Sequence, residues 1–154
     1  MRAGELCVRD VVTAGPDEPV VDVARRMAAL EVGDVIVVEA RAGKLPRPIG
    51  IVTDRDLVVR VLAHPERAPA TTTLAEIMQP DPVTCAEDED LGRVIETMRA
   101  HVIRRIPVVD RDGGLQGVIS IDDVIGLMRD ELETVTRLLD AQGQGPLHTQ
   151  ANRW

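Results

Sequence analysis

The chain repeats itself. Shifted by 71 residues, the stretch Glu5 to Glu39 falls on Glu76 to Asp110 with eleven of thirty-five positions identical, where about two or three would match by chance. Glu5/Glu76, Asp10/Asp81, Thr13/Thr84, Glu18/Glu89, Met27/Met98 and Val37/Val108 are among the matches. After a turn four residues longer in the first copy, the register resumes at an offset of 67, and Gly50-Ile51-Val52-Thr53-Asp54-Arg55-Asp56-Leu57 overlies Gly117-Val118-Ile119-Ser120-Ile121-Asp122-Asp123-Val124. The chain is therefore two copies of one unit of roughly 60 residues, and such a unit alone buries only about 60% of its surface. The copies are expected to pack face to face about a pseudo-twofold axis, leaving two equivalent clefts where ligands fit.

Within each copy the hydrophobic period changes in a fixed order. Asp17 is placed to cap a helix with Pro19 in its first turn, followed by Val20, Val23, Ala24, Met27 and Ala28; Asp88, Leu91, Val94, Ile95 and Met98 repeat the pattern. Short apolar runs follow at Val35 to Val38 and Ile106 to Val109, then a turn, then second runs at Ile49 to Val52 and Leu115 to Ile119. These read as hairpins. A second helix follows in each copy, with Leu57, Val58, Val61 and Leu62 expected to face inward in the first, and Val124, Ile125, Met128, Leu132, Val135 and Leu139 in the second. The first strand is placed at Val11-Val12-Thr13 and at Pro82-Val83-Thr84.

The expected fold class is α/β (α+β), two β-α-β-β-α repeats. The first domain spans 1–63, a Pro-containing linker 64–72, the second domain 73–128, an extended C-terminal helix 129–142 and a mobile tail 143–154.

Composition removes several function classes. Eighteen basic against 26 acidic residues give a net charge of −8, which disfavours a grip on phosphate backbones. There is no Phe or Tyr, and the one Trp is the last residue, Trp154, so nucleic-acid bases have no stacking platform. The core must be aliphatic, and 22 Val with 10 Ile suit pleated surface. No apolar run approaches the roughly 20 residues of a membrane helix, and the expected location is cytoplasmic. Arginine outnumbers lysine 17 to 1, so phosphate contacts would come from guanidinium groups or backbone amides. Cys7 and Cys85 form no CxxC, and ordinary packing explains both. No His-Cys or His-Glu spacing suits a metal, and Ser120 lies at a capping position, not at a G-x-S-x-G elbow. No catalytic residue is expected.

Thr53-x-x-Asp56 and Ser120-x-x-Asp123 place a hydroxyl at a strand end and a carboxylate three residues on, at a helix start. A capping box alone would select these residues. The same geometry suits a nucleotide: helix-start amides attract phosphate, and a carboxylate accepts from ribose hydroxyls. Arg104 and Arg105 precede the run Ile106 to Val109, either as a solvated basic pair or as phosphate contacts; the first copy has Gly33 and Asp34 there. Asp34 would repel a phosphate, which favours the second copy for a phosphorylated ligand.

Gly50 to Leu57 and Arg104-Arg105-Ile106-Pro107-Val108-Val109-Asp110, set in this twice-repeated unit, resemble the CBS domain over about residues 3 to 128. The resemblance implies a tandem pair, or Bateman module, that senses AMP, ADP, ATP or S-adenosylmethionine and forms a homodimer. It implies ligand contacts at Ser120, Asp123, Arg104, Arg105, Thr84 and Ile106, and at Thr53, Asp56, Thr13 and Ile36. No obligatory cofactor, nucleic acid or membrane partner is expected, while an unidentified protein target is. A structural or stress-associated dimer with non-functional clefts is the alternative, and a redox or metal response through Cys7 and Cys85 a third.

Overall fold

A computed structural model of the chain describes residues 1–143; the tail expected to be mobile lies, from residue 144 on, outside the described residues, as do His148 and Trp154. The fold is mixed α/β. Residues 1–119 form one compact unit, and the segment from Ser120 on forms another. One sheet has the order β1 (Thr13–Ala14), β2 (Asp34–Arg41), β3 (Lys44–Thr53), β4 (Gln79–Pro80), and the other β5 (Cys85–Ala86), β6 (Arg105–Val109), β7 (Leu115–Ser120). The helices are α1 (Ala3–Leu6), α2 (Val20–Leu30), α3 (Asp54–Leu57) running into a π turn (Val58–Leu62), α4 (Leu74–Ile77), α5 (Leu91–His101) and α6 (Ile121–Gly143).

The duplication is retained in detail. Helices α2 and α5 have 11 residues each and bury Val20, Val23 and Met27, or Leu91, Val94 and Met98. Both end on a left-handed residue, Glu31 (φ 55) and Val102 (φ 54). The expected caps move two residues along, to Pro19 and Asp90. Asp17 and Asp88 are displaced because the matched glutamates fold the chain back first: Glu18 Oε1 accepts from Gly15 N at 2.8 Å, and Glu89 Oε2 from Ala86 N at 3.3 Å. The first strands also start later than expected. Thr13 and Ala14 pair in parallel with Ile36 and Val37, as Cys85 and Ala86 do with Val108 and Val109. Val12 contributes only its carbonyl, to Ile36 N at 3.1 Å, and Pro82 has no N–H to give.

What the hydrophobic pattern did not reveal is that each repeat packs its own opening segment on the other repeat. Leu74 N donates to Glu18 O (3.1 Å) and Ala75 N to Pro16 O (2.9 Å); at an offset of 71, Ala3 N donates to Glu89 O and Gly4 N to Glu87 O, both at 2.9 Å. Gln79 pairs antiparallel with Ile51, and Val8 with Val118. Glu5 and Glu76, identical in the duplication, cap the starts of α1 and α4 by accepting from Arg2 N (2.8 Å) and Thr73 N (2.6 Å). The exchange puts Leu74 and Ile77 into one core with Val20, Val23, Met27, Val35, Val37 and Val52. The repeats are thus interlocked, which is how two undersized cores become one stable unit.

The second helices correct the expected packing. In the first repeat only Val61 is fully buried, while Val58 and Leu62 are more than half exposed. Among the α6 residues whose burial is described, Val124 alone is buried; Ile125, Met128, Leu132, Val135 and Leu139 are half exposed or more. Periodicity finds an apolar stripe but cannot say whether the chain's own core covers it. The stripe at 125, 128, 132, 135 and 139 has the three-four spacing of a helix-pairing seam.

Candidate functional site

Both hydroxyl-carboxylate boxes form. In the first, Asp56 N donates to Thr53 Oγ1 (3.2 Å), while Thr53 N and Oγ1 donate to Asp56 Oδ2 (2.9 and 2.8 Å). In the second, Asp123 N donates to Ser120 Oγ (3.2 Å), and Ser120 N and Oγ donate to Asp123 Oδ2 (2.8 and 2.6 Å). A strand that runs straight into a helix leaves its first amides without intrahelical partners, and these side chains supply them. The boxes differ in their other carboxylate oxygen. Asp56 Oδ1 forms an ion pair with Arg60 Nε at 3.3 Å, whereas among the described residues Asp123 Oδ1 has neither an ion pair nor a hydrogen bond.

Asp34 and Arg105 occupy matched positions, one in each repeat, and form an ion pair with each other. Burial pushes the Asp34 carboxyl above its ordinary value, and the Arg105 guanidinium pulls it part of the way back. Arg105 is therefore engaged by a carboxylate, and Asp34 does not stand uncompensated. Arg104 is exposed just before β6. Ile36 and Ile106 are fully buried core side chains. Thr13 pairs with Ile36 in β1, and its carbonyl accepts from Arg26 Nη1 at 2.7 Å.

Thr84 is exposed and lines a cavity of about 600 Å³ together with Arg41, Arg47, Asp81, Val109 and Arg111. Its three arginines were not singled out by motif; the arginine bias of the chain was the one signal for them. Arg41 is fixed, donating through Nη1 to Asp112 O (2.6 Å) and through Nε and Nη2 to Leu45 O (3.0 and 2.7 Å). Arg47 and Arg111 are exposed. The cavity is of ligand size, and its three guanidinium groups are balanced by the carboxylates of Glu39, Asp81 and Asp112, so its charge does not select an anionic group.

Both thiols are free and buried. Burial, then the charges of Glu89 and Cys7, pushes Cys85 up to about 12, and burial raises Cys7 as well. A thiol held protonated is a poor nucleophile and a poor redox partner. Among the described residues no group of three or more His, Cys, Asp or Glu side chains could hold a metal ion, and no helix is long and apolar enough to cross a membrane.

Residues 3–63 and 74–130 each match the CBS domain family model. An uncharacterized protein of Methanopyrus kandleri is 34% identical over 122 residues, 79% of this chain and 60% of its own length. The inosine-5'-monophosphate dehydrogenase of Thermoplasma acidophilum is 31% identical over 144 residues, 93% of this chain but 26% of that enzyme. The chain thus spans less than two thirds of either relative. A CBS domain protein of Pyrobaculum aerophilum, solved in complex with AMP, is similar with a TM-score of 0.68 and 29% identity, over 80% of this chain and 89% of that one. The interlocked duplication and its paired hydroxyl-carboxylate boxes agree with these matches: the chain belongs to the CBS-domain family and carries the domain twice in tandem.

Proposed function

We propose that the protein is a cytoplasmic regulatory module, without catalytic chemistry of its own, that binds an adenosine-containing ligand (AMP, ADP, ATP or S-adenosylmethionine) and passes its occupancy to a partner protein or a dimer interface. The observation that carries this reading is the second repeat's box, formed by hydrogen bonds yet with Asp123 Oδ1 accepting none among the described residues. A ribose diol needs such an acceptor. The AMP complex of the Pyrobaculum aerophilum relative supports the ligand class. In this reading Asp123 and Ser120 bind ribose, and Arg104 and Arg105, of the same repeat, bind phosphate. Arg105 contributes once it releases Asp34, and Thr84 and Ile106 complete the set. Thr53, Asp56, Thr13 and Ile36 are the first repeat's counterparts.

A second reading is a homodimeric interaction protein with no functional ligand site, and the exposed three-four stripe of α6 favours it. Thermal unfolding with AMP, ATP and S-adenosylmethionine separates the two. A ligand present at 100 times its dissociation constant stabilises by about 2.7 kcal/mol, so at least one is expected to raise the Tm, and Asp123→Ala to abolish the rise. No shift with any of them selects the interaction protein.

A further inference from the structure

The two boxes part company one turn beyond the carboxylate. Asp56 is 9% exposed in its side chain and is held from both sides, by Thr53 on Oδ2 and by Arg60 on Oδ1. Arg60 is itself fixed at both ends. Its Nη1 donates to Ile77 O at 2.7 Å, and its own carbonyl accepts from Arg67 Nη1 at 2.8 Å. It sits in the π turn Val58–Leu62, so the guanidinium joins α3 to the end of α4. In the second repeat the position matched to Arg60, at the offset of 67, is Leu127, which has no donor to offer Asp123.

The charge attraction between the Arg60 guanidinium and the Asp56 carboxylate at 3.3 Å has no counterpart in a neutral ligand. Removing the cation would also leave a largely buried carboxylate without its charge partner. The neutral hydroxyls of a ribose do not compensate for either loss. We infer that Arg60 closes the first repeat's box to a ribose diol, so that the chain takes its ribose-bearing ligand at the second repeat only. The residue that differs between the repeats at this position sets the stoichiometry. This rests on the proposed adenosine-binding role for the location of the open site, but not for the closure of the other.

Calorimetric titration with AMP tests it on four proteins: wild type, Asp123→Ala, Arg60→Leu and the double variant. Wild type is expected to bind one AMP per chain and Asp123→Ala none. Arg60→Leu, which installs the second repeat's residue, is expected to bind a second AMP, and the double variant to keep that new site. If Arg60→Leu binds no more than wild type and the double variant binds none, the inference is overturned. If wild type binds nothing while the double variant binds AMP, the adenosine-sensing role fails and the inference stands. Arg60→Leu also removes the bond to Ile77 O, so Arg60→Met, which keeps the unbranched stem, is run beside it with a melting curve; a folded Arg60→Met without extra AMP binding overturns the inference equally.

Discussion

Replacing Leu74 with alanine is expected to lower the stability of the fold by about 2–5 kcal/mol, the largest single effect of any substitution considered. Leu74 is 0% exposed, lies on a helix of only four residues, and packs with Ala14, Val20, Val23, Met27 and Val35. That helix opens the second repeat yet fills the first repeat's core, so the cavity opens where the two halves are joined. Total stability of a small domain is about 5–15 kcal/mol, so a large share is at stake. Its matched residue Ala3 is also 0% exposed but is already small, which makes the first crossing the weaker of the two. Urea unfolding read by circular dichroism measures the loss. A change under about 1 kcal/mol would mean that α4 is not anchored as described.

Gly117→Val is the second large effect. A β-carbon on Gly117 would stand 2.7 Å from Val8 O and 2.8 Å from Cys7 Sγ. Val8 and Val118 exchange two backbone hydrogen bonds of 2.9 Å beside it, so the crossing segment must move and its pairing breaks. Overpacking alone costs about 1–3 kcal/mol, and each lost backbone bond adds about 1 kcal/mol. The matched glycine, Gly50, meets instead the Sδ of Met78 at 2.5 Å. The sulfur can swing aside, and although Met78 Cγ and Cβ follow at 3.0 and 3.1 Å, no backbone atom stands as close as Val8 O does to position 117. Valine is therefore expected to harm position 117 more than position 50, with faster hydrogen exchange at Val8 and Val118 in the former. Equal losses at the two glycines would contradict the close approach of the first crossing.

The duplication, the hairpins and the first helix of each repeat were legible because eleven-residue helices and five-residue apolar runs carry a period. The crossings were not, since a four-residue helix and a two-residue strand are too short to show one; Glu5 and Glu76 were visible as a match, but their capping bonds become meaningful only beside the segments they support. The stripes of α6 and of the π turn were visible and misassigned, because a pattern of spacing does not name the surface that covers it. At the site, both boxes could be read from residue type and spacing. The opposite signs of Asp34 and Arg105 were also in plain view. They are separated by 71 residues, the repeat offset itself, and a pseudo-twofold arrangement brings such matched positions together. Read one repeat at a time, Asp34 suggested repulsion of a ligand; read across the axis, it is Arg105's partner.

Both halves of the functional reading, a paired assembly and a single adenosine-ligand site in each chain, meet in native mass spectrometry of the protein titrated with AMP. The account predicts a dimer mass that gains AMP up to one molecule per chain and no further. A protein that stays ligand-free at millimolar AMP, or one that fills two sites per chain without any substitution at Arg60, would contradict it.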